Sequence, residues 1–176
     1  RDDAAGEAFD KAARVLSLPY PGGPHVERLA REGKPTVALP KMLKGQGGYD
    51  FSYSGLKTAV INYVHNSEQR GEAWSRADLA CSFQHAALDI LVQKTVEAAL
   101  ERGVHTVTAG GGVIANGFLR DALAAACKEH GLKLVLPEKR HCTDNAAMIA
   151  AEGLIRYKAG LFSPLTLNAA ASIPLR

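Results

Sequence analysis

Residues 104–120 read VHTVTAGGGVIANGFLR, and the two halves of this stretch obey different periodicities. The residues up to Ala109 alternate as a strand does, whereas those from about Asn116 carry helical spacing. Three glycines, Gly110, Gly111 and Gly112, stand at the junction. A glycine-rich turn between a parallel strand and a helix leaves backbone N–H groups aimed outward, with the positive end of the helix dipole behind them. Such a turn is either simply tight, or it lets a phosphate or another anion approach the backbone. The spacing is neither the P-loop pattern nor GxGxxG, so neither label applies. Asn116 is open in the same way: it can cap the helix, or its amide can hydrogen-bond a ligand.

Downstream, a second strand is expected in LKLVLP (132–137), then a loop, EKRHCTD, and a helix from about Asn145 to Lys158. The resulting β-α-β-α order predicts an α/β fold with a parallel sheet in the C-terminal half. Upstream, Ser75–Arg102 predicts one long helix, with Leu79, Phe83, Ala86, Ile90, Val96 and Leu100 near a 3.6 period. DDAAGEAFDKAARVLS (2–17) puts Ala5, Ala8, Phe9, Ala12, Val15 and Leu16 on one helical stripe, with acids in the first turn. LPYPGGP (18–24) reads as a loop leading into a short helix from Pro24 to Gly33. A short strand and a loop are expected in 34–50. A brief strand FSYS (51–54) then precedes a helix through about His65. The polar segment NSEQRGEA (66–73) is the expected hinge, dividing the chain into 1–65 and 66–176.

Composition is that of an ordinary globular protein, and the net charge of +3 demands no nucleic-acid partner, though it permits one if the basic residues cluster on a face. No apolar run approaches the length of a membrane span, so no membrane partner is expected. Three cysteines, Cys81, Cys127 and Cys142, form no CxxC pair. That argues against a disulfide framework or zinc ribbon and for a reducing cytoplasm. The six histidines give no HxxxH or HExxH pair, and there is no GxSxG elbow.

Four further positions invite a chemical reading. Asp10 is either a solvated acid paired with Lys11 or Arg14, or a carboxylate receiving ribose hydroxyls beside the glycines Gly22 and Gly23. The serine and lysine of FSYSGLKT (51–58), at a helix start, can bind an anion or serve as turn and cap. Asp144 precedes a helix at the carboxyl end of a strand, where it can cap or bind a metal. His141 and Cys142 beside it lack the second cluster that a zinc site needs.

The segments DDAAGEAFDKAAR, YPGGP, FSYSGLKT, GGGVIANGFLR and CTDNAAMIAAEG, in that order from Asp2 to Gly153, together resemble one family. It is the TsaD family of tRNA threonylcarbamoyladenosine biosynthesis, formerly named O-sialoglycoprotein endopeptidase (Gcp). The resemblance implies an actin-like, sugar-kinase-like ATPase fold, of which this chain is the C-terminal part without the N-terminal lobe. It implies transfer of a threonylcarbamoyl group from its adenylate to N6 of the adenosine next to the anticodon of tRNA. Asp10 would contact the ribose, with Glu27 as a second ribose contact; Gly23 and Gly110 to Gly112 would line the nucleotide, and Asn116 would hold its adenosine end. Asp144 would be one ligand of a divalent metal, iron or zinc.

Threonylcarbamoyl-adenylate or ATP is the implied nucleotide, and a TsaB-like paralogue and a TsaE-like ATPase are the implied partners besides tRNA. The family's HxxxH metal ligands and its SGG phosphate loop do not occur in this sequence. These residues alone are therefore expected neither to hold the metal tightly nor to transfer the acyl group. A kinase or ATPase of the same fold, and a catalytically dead interaction module, are the competing readings. No protease constellation supports the older peptidase name.

Overall fold

A computed structural model describes residues 3–40 and 48–171. The elements, in chain order, are α1 (Ala5–Val15), α2 (Gly22–Ala30), α3 (Ser54–Gln69), α4 (Arg76–Glu101), β1 (Thr106–Thr108), α5 (Gly117–Glu129), β2 (Lys133–Val135) and α6 (Ala146–Lys158). Short 3₁₀ turns at Gly112–Ala115 and Lys139–His141 follow the two strands. The chain resolves into two compact units, Arg1–Cys142 and Thr143–Arg176.

The first unit is organised around α4. Ser75 starts it as an N-cap, its hydroxyl accepting from the Asp78 N–H at 3.1 Å, which satisfies one of the orphan donors of the first turn. Over 26 residues the helix runs about 39 Å. Its N-terminal half is buried on every side: Leu79, Ala80, Cys81, Ser82, Phe83 and Gln84 are all inside. The single apolar stripe expected from the sequence is too narrow, because α1, α2, α3 and α5 all pack against this helix. Leu100, assigned to that stripe, is half exposed. Burial of Cys81 and Cys127 pushes both thiols above their usual range.

Of the expected stripe, Ala8, Phe9, Ala12 and the C-cap Leu16 are buried while Ala5 and Val15 are half-buried, and Ala13 joins the core; Asp3 precedes the helix rather than sitting in its first turn. Phe9 meets Phe83 edge to face at 5.1 Å between ring centroids. Helix α2 begins at Gly22, two residues before the expected start, so Pro24 occupies its first turn. Such a place costs no hydrogen bond, because the early N–H groups lack intrahelical partners anyway.

Two expected strands are absent among the described residues. Residues 34–40 hydrogen-bond to the side chains of α4 instead of a neighbouring strand: Lys34 N–H donates to Asp78 Oδ1 at 2.8 Å and Val37 N–H to Ser82 Oγ at 3.0 Å. The remainder of that expectation, 41–47, lies outside the described residues. Residues 51–53 form no strand and lead directly into α3, with Tyr53 Oη donating to the Ala87 carbonyl. Buried Lys94 donates to the Asp50 carbonyl at 2.7 Å and lies over the Phe51 ring.

The hinge expected at 66–73 is a tight helix–helix turn. Helix α3 continues to Gln69, Gly71 takes φ +64°, and Glu72 N–H returns to the Ser67 carbonyl at 2.9 Å. Packing therefore does not divide at 65/66. Leu56 and Val60 share one core with Leu79 and Phe83.

The parallel pairing is as expected, with Thr106, Val107 and Thr108 opposite Lys133, Leu134 and Val135. Ala99, Val107 and Cys127 bury a small second cluster between α4, the sheet and α5. In the other unit α6 is exposed along its whole length, and Tyr157 meets Phe162 edge to face. Among the described residues no helix is long and apolar enough to cross a membrane.

Candidate functional site

Asp10 lies on α1 facing the start of α2, and its Oδ1 accepts the Gly22 N–H at 2.7 Å. A carboxylate placed there satisfies a helix-terminal donor and meets the positive end of the dipole. The approach is possible because position 22 has no side chain. A Cβ there would sit 2.5 Å from Ala13 Cβ and 2.8 Å from Asp10 Cα. Gly23 differs: a Cβ there would meet nothing within 4 Å.

One turn beyond Gly23, Glu27 reaches across to α5. Its Oε1 accepts the Gly117 N–H at 3.0 Å and a bond from Arg31 at 2.5 Å. Next to Gly117, Asn116 caps α5: Oδ1 accepts the Leu119 N–H at 3.0 Å, and Nδ2 donates to Oε1 of buried Gln84 at 2.9 Å. Helix α2 thus links Asp10 and Gly23 at its start to Glu27, Gly117 and Asn116 further along. All the expected site residues except Asp144 belong to this first unit.

The glycine turn is exposed. Gly111 takes φ +94°, a region that side chains with a Cβ rarely adopt. Neither packing nor dihedral angle requires glycine at 110 or 112, where a Cβ would meet nothing within 4 Å. The turn is anchored from beneath by Arg120, which the sequence reading did not single out. Its guanidinium donates to the Ile114 carbonyl at 3.2 Å and to the Pro137 carbonyl at 2.9 Å, joining the loops that follow the two strands. Arg120→Met keeps much of the stem but leaves both carbonyls without that donor. It is expected to cost about 1–3 kcal/mol, read as a lowered midpoint in urea unfolding; an unchanged midpoint would show that the clamp contributes nothing.

The two anchored acids have a chemical consequence. Each gives one oxygen to a helix N-terminus, and among the described residues Asp10 Oδ2 and Glu27 Oε2 accept no hydrogen bond. The N-terminal N–H groups they occupy are already satisfied by an anion. What remains on offer at these acids is a pair of acceptors suited to hydroxyl groups.

Asp144 stands in the second unit, exposed and without a hydrogen bond or ion pair among the described residues. The cap of α6 is its neighbour: Asn145 Oδ1 accepts the Met148 N–H at 3.0 Å. The capping role considered for Asp144 therefore belongs to Asn145, whose extended backbone, φ −152° and ψ 151°, fits the N-cap position. Among the described residues no three His, Cys, Asp or Glu side chains group to hold a metal. A single exposed carboxylate does not make a metal centre. Cys142 is engaged elsewhere, its Sγ lying 3.8 Å from Arg120 and 3.5 Å from the Glu138 carbonyl.

Gln84 was also missed, although its signal was present: a lone amide directly after the small and mostly apolar run Leu79–Phe83, which must find a partner when buried. A parallel strand, a glycine turn and a capped helix, with acids anchored at helix N-termini alongside, have the construction of an α/β ligand-binding domain. Over residues 1–151 the sequence matches the family TsaD: tRNA N6-adenosine threonylcarbamoyltransferase. The chain belongs to that family. It is 54% identical over 99% of its length to the tRNA N6-adenosine threonylcarbamoyltransferase of Geobacillus thermodenitrificans, covering 52% of that protein. The same-named protein of Anoxybacillus flavithermus is 51% identical, again over 99% of this chain and 52% of its own length. For that of Bacillus thuringiensis the figures are 54%, 96% and 50%. The chain spans about half the length of the curated relatives it matches.

Proposed function

We propose that the chain is the C-terminal portion of a cytoplasmic tRNA N6-adenosine threonylcarbamoyltransferase with an actin-like fold. The observation that carries the site is the pair of N–H-anchored carboxylates, Asp10 of α1 on the Gly22 N–H and Glu27 of α2 on the Gly117 N–H. Family membership supplies the reaction. Oδ2 and Oε2 would accept the two ribose hydroxyls of threonylcarbamoyl-adenylate or ATP. Gly23 and the glycines 110–112 would let the nucleotide pass close to the backbone, and Asn116, its oxygen fixed on the α5 cap, would offer its remaining N–H to the adenosine end. In the transfer, the N6 amine of the target adenosine would attack the carbamoyl carbonyl, the new C–N bond replacing the bond from that carbon to the phosphate oxygen, so that AMP leaves and the amine gives up one proton. The contribution of these residues is to hold the leaving nucleotide in place.

Asp144 is assigned as one carboxylate ligand of an iron or zinc ion whose other ligands lie outside the described residues. A TsaB-like paralogue and a TsaE-like ATPase are the assigned protein partners.

The test compares ATP with 2′,3′-dideoxy-ATP by calorimetry on the full-length protein containing this chain. Loss of the hydroxyls is expected to weaken binding at least about tenfold, since buried or anchored acceptors left unpaired cost about 1–3 kcal/mol. Asp10→Asn, which keeps an acceptor for Gly22, is expected to weaken ATP and leave dideoxy-ATP nearly unchanged. Equal affinity of the native protein for both nucleotides removes Asp10 and Glu27 from the ribose. That result would favour the second reading, an interaction module, which draws support from the fact that Asp10, Glu27 and Asn116 each satisfy a helix N-terminus.

A further inference from the structure

A cleft of about 520 Å³ lies between α1, the 18–21 loop and α3, a size typical of small-ligand sites. Asp10 stands on its wall, and so do three cations, Lys11, Arg14 and Lys57. Lys11 is committed to Asp3 at 2.5 Å and Glu7 at 2.7 Å. Asp10 has one oxygen on Gly22. Arg14 and Lys57 have neither a hydrogen bond nor an ion pair among the described residues. The lining also carries the carboxylates of Glu7 and Asp10, and Arg14 and Lys57 are its two cations outside an ion pair among the described residues.

Tyr20 stands in the same lining with 84% of its surface exposed. An isolated exposed tyrosine means little. In a lining that it shares with Arg14, Lys57 and the apolar side chains of Leu18 and Ile61, it completes the combination by which proteins hold unpaired nucleotides: a ring for the base and cations for the backbone. Lys57 comes from the FSYSGLKT segment, and the ribose reading of Asp10 gives it no task.

We propose that this cleft takes one unpaired nucleotide of an RNA strand, its base stacked on Tyr20 and its phosphate held by Arg14 and Lys57. The proposal rests on the reading of the chain as part of a tRNA-modifying enzyme, and places a strand contact beside the nucleotide site at Asp10.

The experiment uses the full-length protein containing this chain and measures binding of an unmodified tRNA transcript by fluorescence anisotropy over a series of salt concentrations. ATP affinity is measured in parallel. The double variant R14A/K57A is expected to reduce the slope of log affinity against log salt by about 0.7, for the one single-strand phosphate that the two cations neutralise together. Tyr20→Ala is expected to weaken tRNA at least about fivefold with an unchanged slope, and Tyr20→Phe to bind like the native protein. ATP affinity stays constant in all three. Native-like tRNA binding by R14A/K57A and Tyr20→Ala overturns the proposal. So does a loss of ATP binding with tRNA binding intact, which would make the cleft a site for free nucleotide. If the native protein binds no tRNA, the underlying functional reading fails first and takes this one with it.

Discussion

Phe83→Ala is expected to lower the stability of the first unit by about 3–5 kcal/mol. The ring is wholly buried on α4 and packs edge to face on Phe9 of α1, so truncation removes its transfer energy, opens a cavity and deletes an aromatic pair. For a domain of this size, that corresponds to a fall in Tm on the order of 10 °C. Phe83→Leu should recover much of it. The experiment also tests the architecture. If 1–65 and 66–176 were separate bodies, α1 and α4 would belong to different ones, and the loss would be confined to one of two transitions. A single shifted transition for the first unit is expected; a loss below about 1 kcal/mol would show that α1 and α4 do not share the core described.

The second large effect couples stability to the site. Gly22→Ala should cost about 2–3 kcal/mol, because the added methyl meets Ala13 Cβ, Asp10 Cα and the Phe9 carbonyl, and two helices have to separate. The same separation lengthens the bond from the Gly22 N–H to Asp10. Nucleotide affinity should therefore fall by at least about tenfold, even where the protein remains folded. Gly23→Ala is the matched control. Its methyl meets no protein atom, and alanine is the better helix former, so stability should hold or rise. A loss of nucleotide affinity in Gly23→Ala alone would mean that the ligand passes over that backbone. If Gly22→Ala loses neither stability nor affinity, the close packing of α1 on α2 is wrong.

What could be read from sequence here was local. The strand, glycine turn and helix of 104–130, the Ser75 start of α4 and the Asn116 cap all follow from periodicity and capping chemistry within a few residues. The segments 34–40 and 51–54 were misread because their apolar residues suggested strands, yet the Lys34 and Val37 N–H groups go to the side chains of Asp78 and Ser82, and the Tyr53 hydroxyl goes to the Ala87 carbonyl. Those partners stand dozens of residues away. Asp144 and Asn145 are both acceptable caps by residue type, and the bond from the Met148 N–H to Asn145 Oδ1 decides between them. Within the site, the resemblance brought Glu27 and Asn116 forward separately. That Glu27 reaches Gly117, 90 positions along the chain, is a tertiary fact with no local trace.

The bridge from Glu27 to Gly117 and the bond from Asn116 to Gln84 bear on how this surface can drift over generations. A single exchange at position 27 frees an α5 terminus as well as altering a ligand contact, and one at position 84 strands an amide in the interior. Neutral single steps away from these pairs are therefore closed. The pair 84–116 joins two side chains and can change only together, whereas position 27 serves a backbone N–H that no exchange at 117 replaces, and Gly110 and Gly112 are free of any packing constraint.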